Sequence, residues 1–320
     1  MGQFARFGLG RLTVALVTLA VIAVAVFWAM RMVPGSYADV MLPANARAEA
    51  RAALIDQYGL DDPLPGQFLS WAGNAVTGDL GTSLTSGEPV LSELGSRALV
   101  TVELAFLGGL LALLVGVPLG LIGGISRSRR TTGLIRVGNS VLLSLPDILV
   151  GALLVWVIST YEVPFTVGGW EPLFDDPVAN LQAALPAALT IAVLGMGFVM
   201  TTTRGAVAQI AAEPYVQAAR ARGATRGEIV RRHVLRNSSV PVLTVFAVYL
   251  AYLLGGTVIA EVLFSLDGIG RYVIDATGHR DYPVVQGAVL VAAAAFVLIS
   301  MVVDLLYGVL DPRIGARSAS

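Results

Sequence analysis

The sequence predicts an all-α integral membrane protein with six transmembrane helices and both termini cytosolic. Three observations carry that reading. Of 320 residues, 56% are hydrophobic and only 13% are charged, a composition far outside that of soluble domains. Six intervals, 12–30, 104–126, 137–161, 177–203, 237–260 and 282–303, are free of charge apart from Asp147, and each is long enough for the roughly 20 helical residues that a bilayer core requires. Their hydrophobicity is continuous rather than alternating, which excludes a β-barrel. Finally, all 21 basic residues are Arg, and 15 of them fall in the N-terminus, the 126–136 loop, the 204–236 loop and the C-terminus. Those segments are therefore expected on the cytosolic side.

Taken in order, the spans are expected at about 10–31, 102–126, 137–161, 182–204, 238–261 and 284–306. The first follows Arg6 and Arg11 as a signal peptide would. Its length, and the lack of a small-residue cleavage site at 31–34, predict a retained anchor. A polar stretch, 33–97, is expected to form a small extracytosolic insert, with a solvated Ala-rich helix over 45–58 broken by Gly59, Pro63, Pro65 and Gly66. The second span carries Gly108, Ala112, Gly116, Gly120 and Gly124 at every fourth position, one stripe suited to backbone-to-backbone packing or to sliding, and Pro118 predicts a kink.

The third span holds Ser144, Pro146 and Asp147. An ionised Asp near mid-bilayer costs about 3 kcal/mol on insertion scales, so Asp147 must face protein or water. It is either a satisfied packing residue beside the break at Pro146 or part of a translocation pathway with Ser144. Glu103, Glu261 and Asp304 stand at span ends, where solvated or capping positions are expected. The fourth interval contains Pro186, Gly195 and Gly197 and is longer than one crossing needs.

Between the fourth and fifth spans lies the segment 205–236, strongly basic and helix-forming. Pro214 suits a first helical turn, and Gly223 can supply the positive φ that ends a helix. Thr225-Arg226-Gly227-Glu228 has capping-box spacing for a second helix. This is either a charged cytosolic turn or a docking element whose bare face is Ala218, Ala219 and Gly223.

Tyr215, Val216, Ala219, Arg220, Ala221, Gly223, His233, Leu235, Asn237 and Pro241 together resemble the "EAA" coupling motif of ABC-type import permeases, in the branch serving dipeptides, oligopeptides and nickel. Gln217 stands where the general motif has Glu, and Arg236 where it has an earlier Pro; both departures point to the peptide branch. Two more blocks extend the resemblance along the chain. One is YGLDDPLPGQFLSWAGNAVTGDLGTS with PVLSELGSRALVTVEL; the other is LFSLDGIGRYVIDATGHRDYPVVQG, with Gly268, Gly270, Asp281, Tyr282 and Pro283 matching. Pro34-Gly35-Ser36-Tyr37 departs from the family's Pro-Gly-Asp-Pro.

The resemblance implies a type I ABC importer permease fold and a transmembrane subunit in the plasma (inner) membrane. That subunit would move peptides by alternating access, with nickel or another small solute as the alternative cargo. It implies a second homologous permease subunit, two ATP-binding subunits that bind the ATP and Mg, an extracytosolic solute-binding protein and surrounding membrane lipid as partners. Tyr215, Gln217, Ala218, Ala219, Arg222, Gly223 and Thr225 are the ATPase-coupling residues it implies.

The residues exclude other chemistry. With no Lys, the chain has no P-loop lysine and no Schiff-base lysine, so ATP hydrolysis would belong to partners. With no Cys and two His on opposite predicted sides, no metal cage is expected and no cofactor is called for. The Arg clusters flank spans, so topology and anionic lipid account for them without nucleic acid. A proton-coupled secondary transporter would need interrupted, repeated helices about a midplane site, and no repeat relates the two halves.

Overall fold

The computed structural model describes residues 2–32, 49 and 62–310; most of the expected 45–58 helix, the 34–37 words and the extreme C-terminus lie outside the described residues. Twelve α-helices and one π-helical turn, Val230–Val234, are described. The α-helices are α1 (Gly2–Met32), α2 (Leu64–Val76), α3 (Val90–Ile125), α4 (Arg129–Ser144), α5 (Asp147–Thr160), α6 (Pro177–Ala211), α7 (Pro214–Ala221), α8 (Arg226–Ile229), α9 (Leu235–Gly256), α10 (Val258–Leu263), α11 (Ile269–Gly278) and α12 (Tyr282–Leu310). Among the described residues five helices are long and apolar enough to cross a membrane, and six if α4 and α5 together make one span. The residues pack as two units, one holding the described residues up to 99 with 268–301, the other 100–267 with the described residues from 302 on.

In the first unit Phe27 of α1 is fully buried, its ring 5.3 Å from Phe68 and 5.8 Å from Trp71 of α2. Arg31 lies 4.2 Å over the Phe27 ring and donates to Gln67 Oε1 at 2.7 Å, so its stem packs while its head stays bonded. Leu80, Val90 and Leu94 form a second cluster with Ala276, Val284, Val285 and Ala288 of α11 and α12. A polar clamp closes it. Asp281, almost fully buried, accepts from Ser83 Oγ at 2.7 Å and from the Thr85 amide at 3.1 Å.

The second unit is built around α6, in which 78% of the apolar window is buried, against 33% for α3 and less elsewhere. Asp176 starts α6 by accepting from the amides of Val178 and Ala179, both at 3.0 Å. The helix then runs on through Pro186. The small-residue stripe of α3 lies directly against it. A Cβ at Gly116 would fall 2.8 Å from Val199 and 3.0 Å from the Met196 carbonyl, and one at Gly120 would fall 2.6 Å from Thr203 and 2.7 Å from the Met200 carbonyl. Side chains on α6 are small where other helices meet it: Gly195 leaves room for the Tyr249 ring of α9, and Gly197 for Leu143 of α4. Tyr249 donates its hydroxyl to the Ile191 carbonyl.

The break expected at Pro146 is a sharp one, with α4 and α5 meeting at 92°, and two expectations about span-end carboxylates are corrected. Leu145 and Pro146 are both extended, with ψ of 121° and 135°, because proline blocks the α region for the residue before it and has no amide to continue the ladder. Glu261 is not a solvated end residue. It is 0% exposed and accepts from Thr101 Oγ1 at 2.8 Å. Glu103 is likewise engaged, accepting from Trp170 Nε1 at 2.9 Å and Asn180 Nδ2 at 3.1 Å.

Candidate coupling surface and membrane carboxylate

The 205–236 segment folds as α6 ending, a short α7, and a helix starting again at α8. Glu213 is extended and Pro214 opens α7, where its missing amide is no loss. The helix ends as the sequence predicts, with Gly223 at φ +89°. Its amide bonds the Arg220 carbonyl at 3.0 Å and the Ala224 amide bonds Ala219 at 3.2 Å, the two bonds of a Schellman motif. Half of the expected capping box forms. Thr225 Oγ1 accepts from the Glu228 amide at 3.3 Å, while the Glu228 carboxylate pairs with Arg232 at 2.8 Å instead of returning to Thr225. After α8, residues Val230–Val234 widen into a π-helical turn that leads into α9.

One face of α7 is packed inward: Val216 joins Val207, Ile229 and Val234 in a buried cluster. Ala219, one turn on, is 5% exposed. The expected bare strip of Ala218, Ala219 and Gly223 therefore divides. Ala218 and Gly223 are exposed, but Ala219 is a core residue of this chain and has no surface to offer a partner. The outward face consists of Tyr215, Gln217, Ala218, Arg222, Gly223 and Thr225. Gln217 turns its amide back onto the Ala212 carbonyl at 3.1 Å, satisfying the end of α6 without a carboxylate.

His233 and Asn237 carry a role the sequence left unassigned. Asn237 Nδ2 donates to the Tyr215 hydroxyl and to the His233 carbonyl, each at 2.9 Å, and the Tyr215 and His233 rings meet edge-on at 6.1 Å. Tyr215 thus latches α7 to the start of α9. The motif quoted these residues together; only their spacing across the Gly223 turn could have revealed the latch. Behind α7 a groove of about 480 Å³ is lined by residues such as Gly124, Arg127, Ala208 and Arg220.

Ser144 and Asp147 lie elsewhere, on either side of the α4–α5 bend. Ser144 is exposed and Asp147 is half-buried. Asp147 occupies the first turn of α5, where the helix dipole favours a carboxylate, yet its Oδ1 is shut off from solvent with no hydrogen-bond partner. Tyr249 lies within electrostatic range of it, and Tyr249 stacks on Tyr252 with ring centroids 6.2 Å apart. These tyrosines were missed in the sequence because an aromatic in an apolar span reads as packing.

A multi-span helical protein with a helix pair presented between its fourth and fifth apolar segments has the layout of an ABC-type transport permease. Residues 116–316 match the family of binding-protein-dependent transport system inner membrane components, and residues 4–105 match the N-terminal module of such membrane components. The chain belongs to that family. It is 32% identical to the probable peptide ABC transporter permease protein y4tP of Sinorhizobium fredii, over 96% of this chain and 98% of that protein. The dipeptide transport system permease protein DppB of Escherichia coli K12 is 33% identical over 97% of this chain and 98% of its own. The glutathione transport system permease protein GsiC of Escherichia coli O6:H1 is 34% identical over 93% and 94%. Among solved structures, an inward-facing MetNI methionine ABC transporter superposes with a TM-score of 0.56, covering 68% of this chain and 96% of that one at 17% identity, a likeness of fold alone.

Proposed function

We propose that this chain is the membrane subunit of an ATP-driven importer whose cargo is peptides, as the names of its relatives y4tP and DppB indicate for those proteins. It pairs with a second, similar permease. Two ATP-binding subunits hydrolyse ATP, and an extracytosolic binding protein delivers the substrate. Six spans cross the membrane with both termini inside, the 33–97 insert outside and the 205–236 segment in the cytosol. ATPase closure moves α7 and α8, and the spans rock to open a central path past Ser144 and Asp147.

The observation that carries the coupling part of this reading is the outward face of α7. It is short, nearly bare at Ala218 and Gly223, and tied down by the Schellman turn, the Val216 cluster and the Tyr215–Asn237 latch. A surface held that rigidly transmits displacement instead of absorbing it. The test uses Ala218→Trp and Gly223→Trp in the complete complex, with no Trp at Ala219, where it would disrupt the core. Both variants should insert in normal amount yet lose copurification of the ATPase subunits and substrate-stimulated ATP hydrolysis. Full retention of both would reduce the segment to a connecting loop.

A further inference from the structure

The π-helical turn that leads into α9 gathers positive charge into one place. Arg231, Arg232, His233, Arg236 and Asn237 line a groove of about 780 Å³ on that turn. In a regular α-helix Arg231 and Arg236 would point about 140° apart. Here the Leu235 amide reaches back to the Val230 carbonyl, the i→i+5 bond of a π-turn, which draws residues five apart onto one side. Arg232 is paired with Glu228 at 2.8 Å. Arg231 and Arg236 are exposed, and neither guanidinium makes an ion pair or hydrogen bond among the described residues. No carboxylate lines the groove.

Two unpaired guanidiniums on one groove match the oxygens of a phosphate, which their planar donors can grip in pairs. The surroundings decide where that phosphate comes from. The apolar run of α9 begins at Val240, and Leu243, two turns beyond Arg236 on the same helix face, is 44% exposed. Unpaired charge at the end of a span, with exposed hydrocarbon next along the same face, matches a phospholipid, whose headgroup meets the arginines while its acyl chains follow the leucine. An acidic protein segment would meet the charge and leave the leucine unused. With surplus positive charge and no carboxylate to receive an ammonium, the groove selects a net-anionic headgroup over a zwitterionic one.

We infer that the π-turn groove is a binding site for the phosphate of an anionic membrane phospholipid, held between Arg231 and Arg236. Any basic segment beside a span is drawn diffusely to an anionic bilayer; this groove instead gives one headgroup one seat. Its wall is shared with the latch between α7 and α9, because the His233 ring meets Tyr215 and the His233 carbonyl holds Asn237. A seated headgroup therefore packs against the latch and steadies it. The site requires that α9 enters the bilayer and is independent of which cargo is carried.

The experiment reconstitutes the full chain, in its complex, into nanodiscs of phosphatidylethanolamine mixed with phosphatidylglycerol, extracts it into detergent and measures the retained lipid by native mass spectrometry. Wild type should retain phosphatidylglycerol in preference to phosphatidylethanolamine. With Arg231→Gln and Arg236→Gln together that preference should fall roughly tenfold, the scale of two arginines at a lipid surface. The same loss of charge by Arg129→Gln and Arg130→Gln, two exposed positions on α4 outside the groove, should leave it near wild type. Equal falls in the two double variants would show diffuse attraction and overturn the seat. So would equal retention of the two lipids by wild type, a result that depends on no variant folding. Inorganic phosphate added during extraction carries the same oxygens without acyl chains and should leave the lipid in place; displacement by it would make the groove a soluble-anion site. Loss of the accompanying subunits from the Arg231→Gln, Arg236→Gln complex with lipid retention unchanged would give the groove to a protein partner, and the lipid assignment would fall.

Discussion

At Asp281 one carboxylate serves two elements: Oδ2 accepts from Ser83 and the Thr85 amide, and Oδ1 faces the Val284 amide at 3.4 Å, in the first turn of α12. Removing it takes the acceptor from the buried Ser83 hydroxyl and leaves the Thr85 amide only Ser83 Oγ at 3.2 Å, so Asp281→Ala should lower stability by about 1–3 kcal/mol. Thermal unfolding in detergent measures this, and protease cleavage within 83–88 should rise in parallel. A second residue-scale test concerns Tyr272, which donates to Glu93 while Arg97 lies 4.3 Å over its ring. Burial, and then the Glu93 carboxylate, push the Tyr272 phenol up from its ordinary value near 10. The protonated phenol is favoured in the folded state. Its contribution is thus complete below about pH 10 and is lost as pH rises through the raised folded value. Tyr272→Phe should be about 1 kcal/mol less stable at pH 8, a modest figure because the site is partly solvated, and that difference should shrink in unfolding measured at increasingly alkaline pH. Neither bond was legible in the sequence, since Ser83 and Asp281 stand 198 residues apart and Glu93 and Tyr272 179.

Between elements, the closest approach is α3 on α6. The positions of added Cβ atoms at Gly116, Gly120 and Gly124 would lie 2.7–3.0 Å from carbonyl oxygens of Met196, Met200 and Arg204, backbone that cannot step aside. Gly120→Val should cost about 2–3 kcal/mol or force the helices apart. Gly138→Ala on α4, with nothing within 4 Å of its Cβ, should be neutral or stabilise by up to about 1 kcal/mol. Unfolding temperatures of the two purified variants decide it, and equal, small shifts would count against tight packing. The stripe itself was readable, because helical spacing is local; its partner was not, because pairing is chosen over long range. Pro146 marked a break in the same way, but the 92° angle comes from α4 seating Leu143 at Gly197 and α5 bringing Gly151 against Leu263 and Thr190. At α7 the composition showed small residues without their direction. Val216 and Ala219, three apart, were the apolar face and pointed in.

For the whole molecule, the Arg partition argues orientation: the 15 Arg assigned to the cytosolic segments outnumber the remaining six, and such a bias sets topology most strongly near span ends. The 126–136 loop carries Arg127, Arg129, Arg130 and Arg136, whereas 77–96 carries none and includes Asp79, Glu88 and Glu93. Ser86 and Ser128 are both exposed, so a thiol at either would react wherever reagent reaches it. Ser128 also caps α4 through the Thr131 amide at 3.3 Å; its replacement costs about 1 kcal/mol, too little to refold a span. The chain contains no Cys, so single-cysteine variants report one site each. In intact cells a membrane-impermeant maleimide should label Ser86→Cys and leave Ser128→Cys untouched until the membrane is opened with detergent. Labelling of Ser128→Cys with sparing of Ser86→Cys would invert the topology and place α7, with its coupling face, on the side away from any ATP-binding subunit.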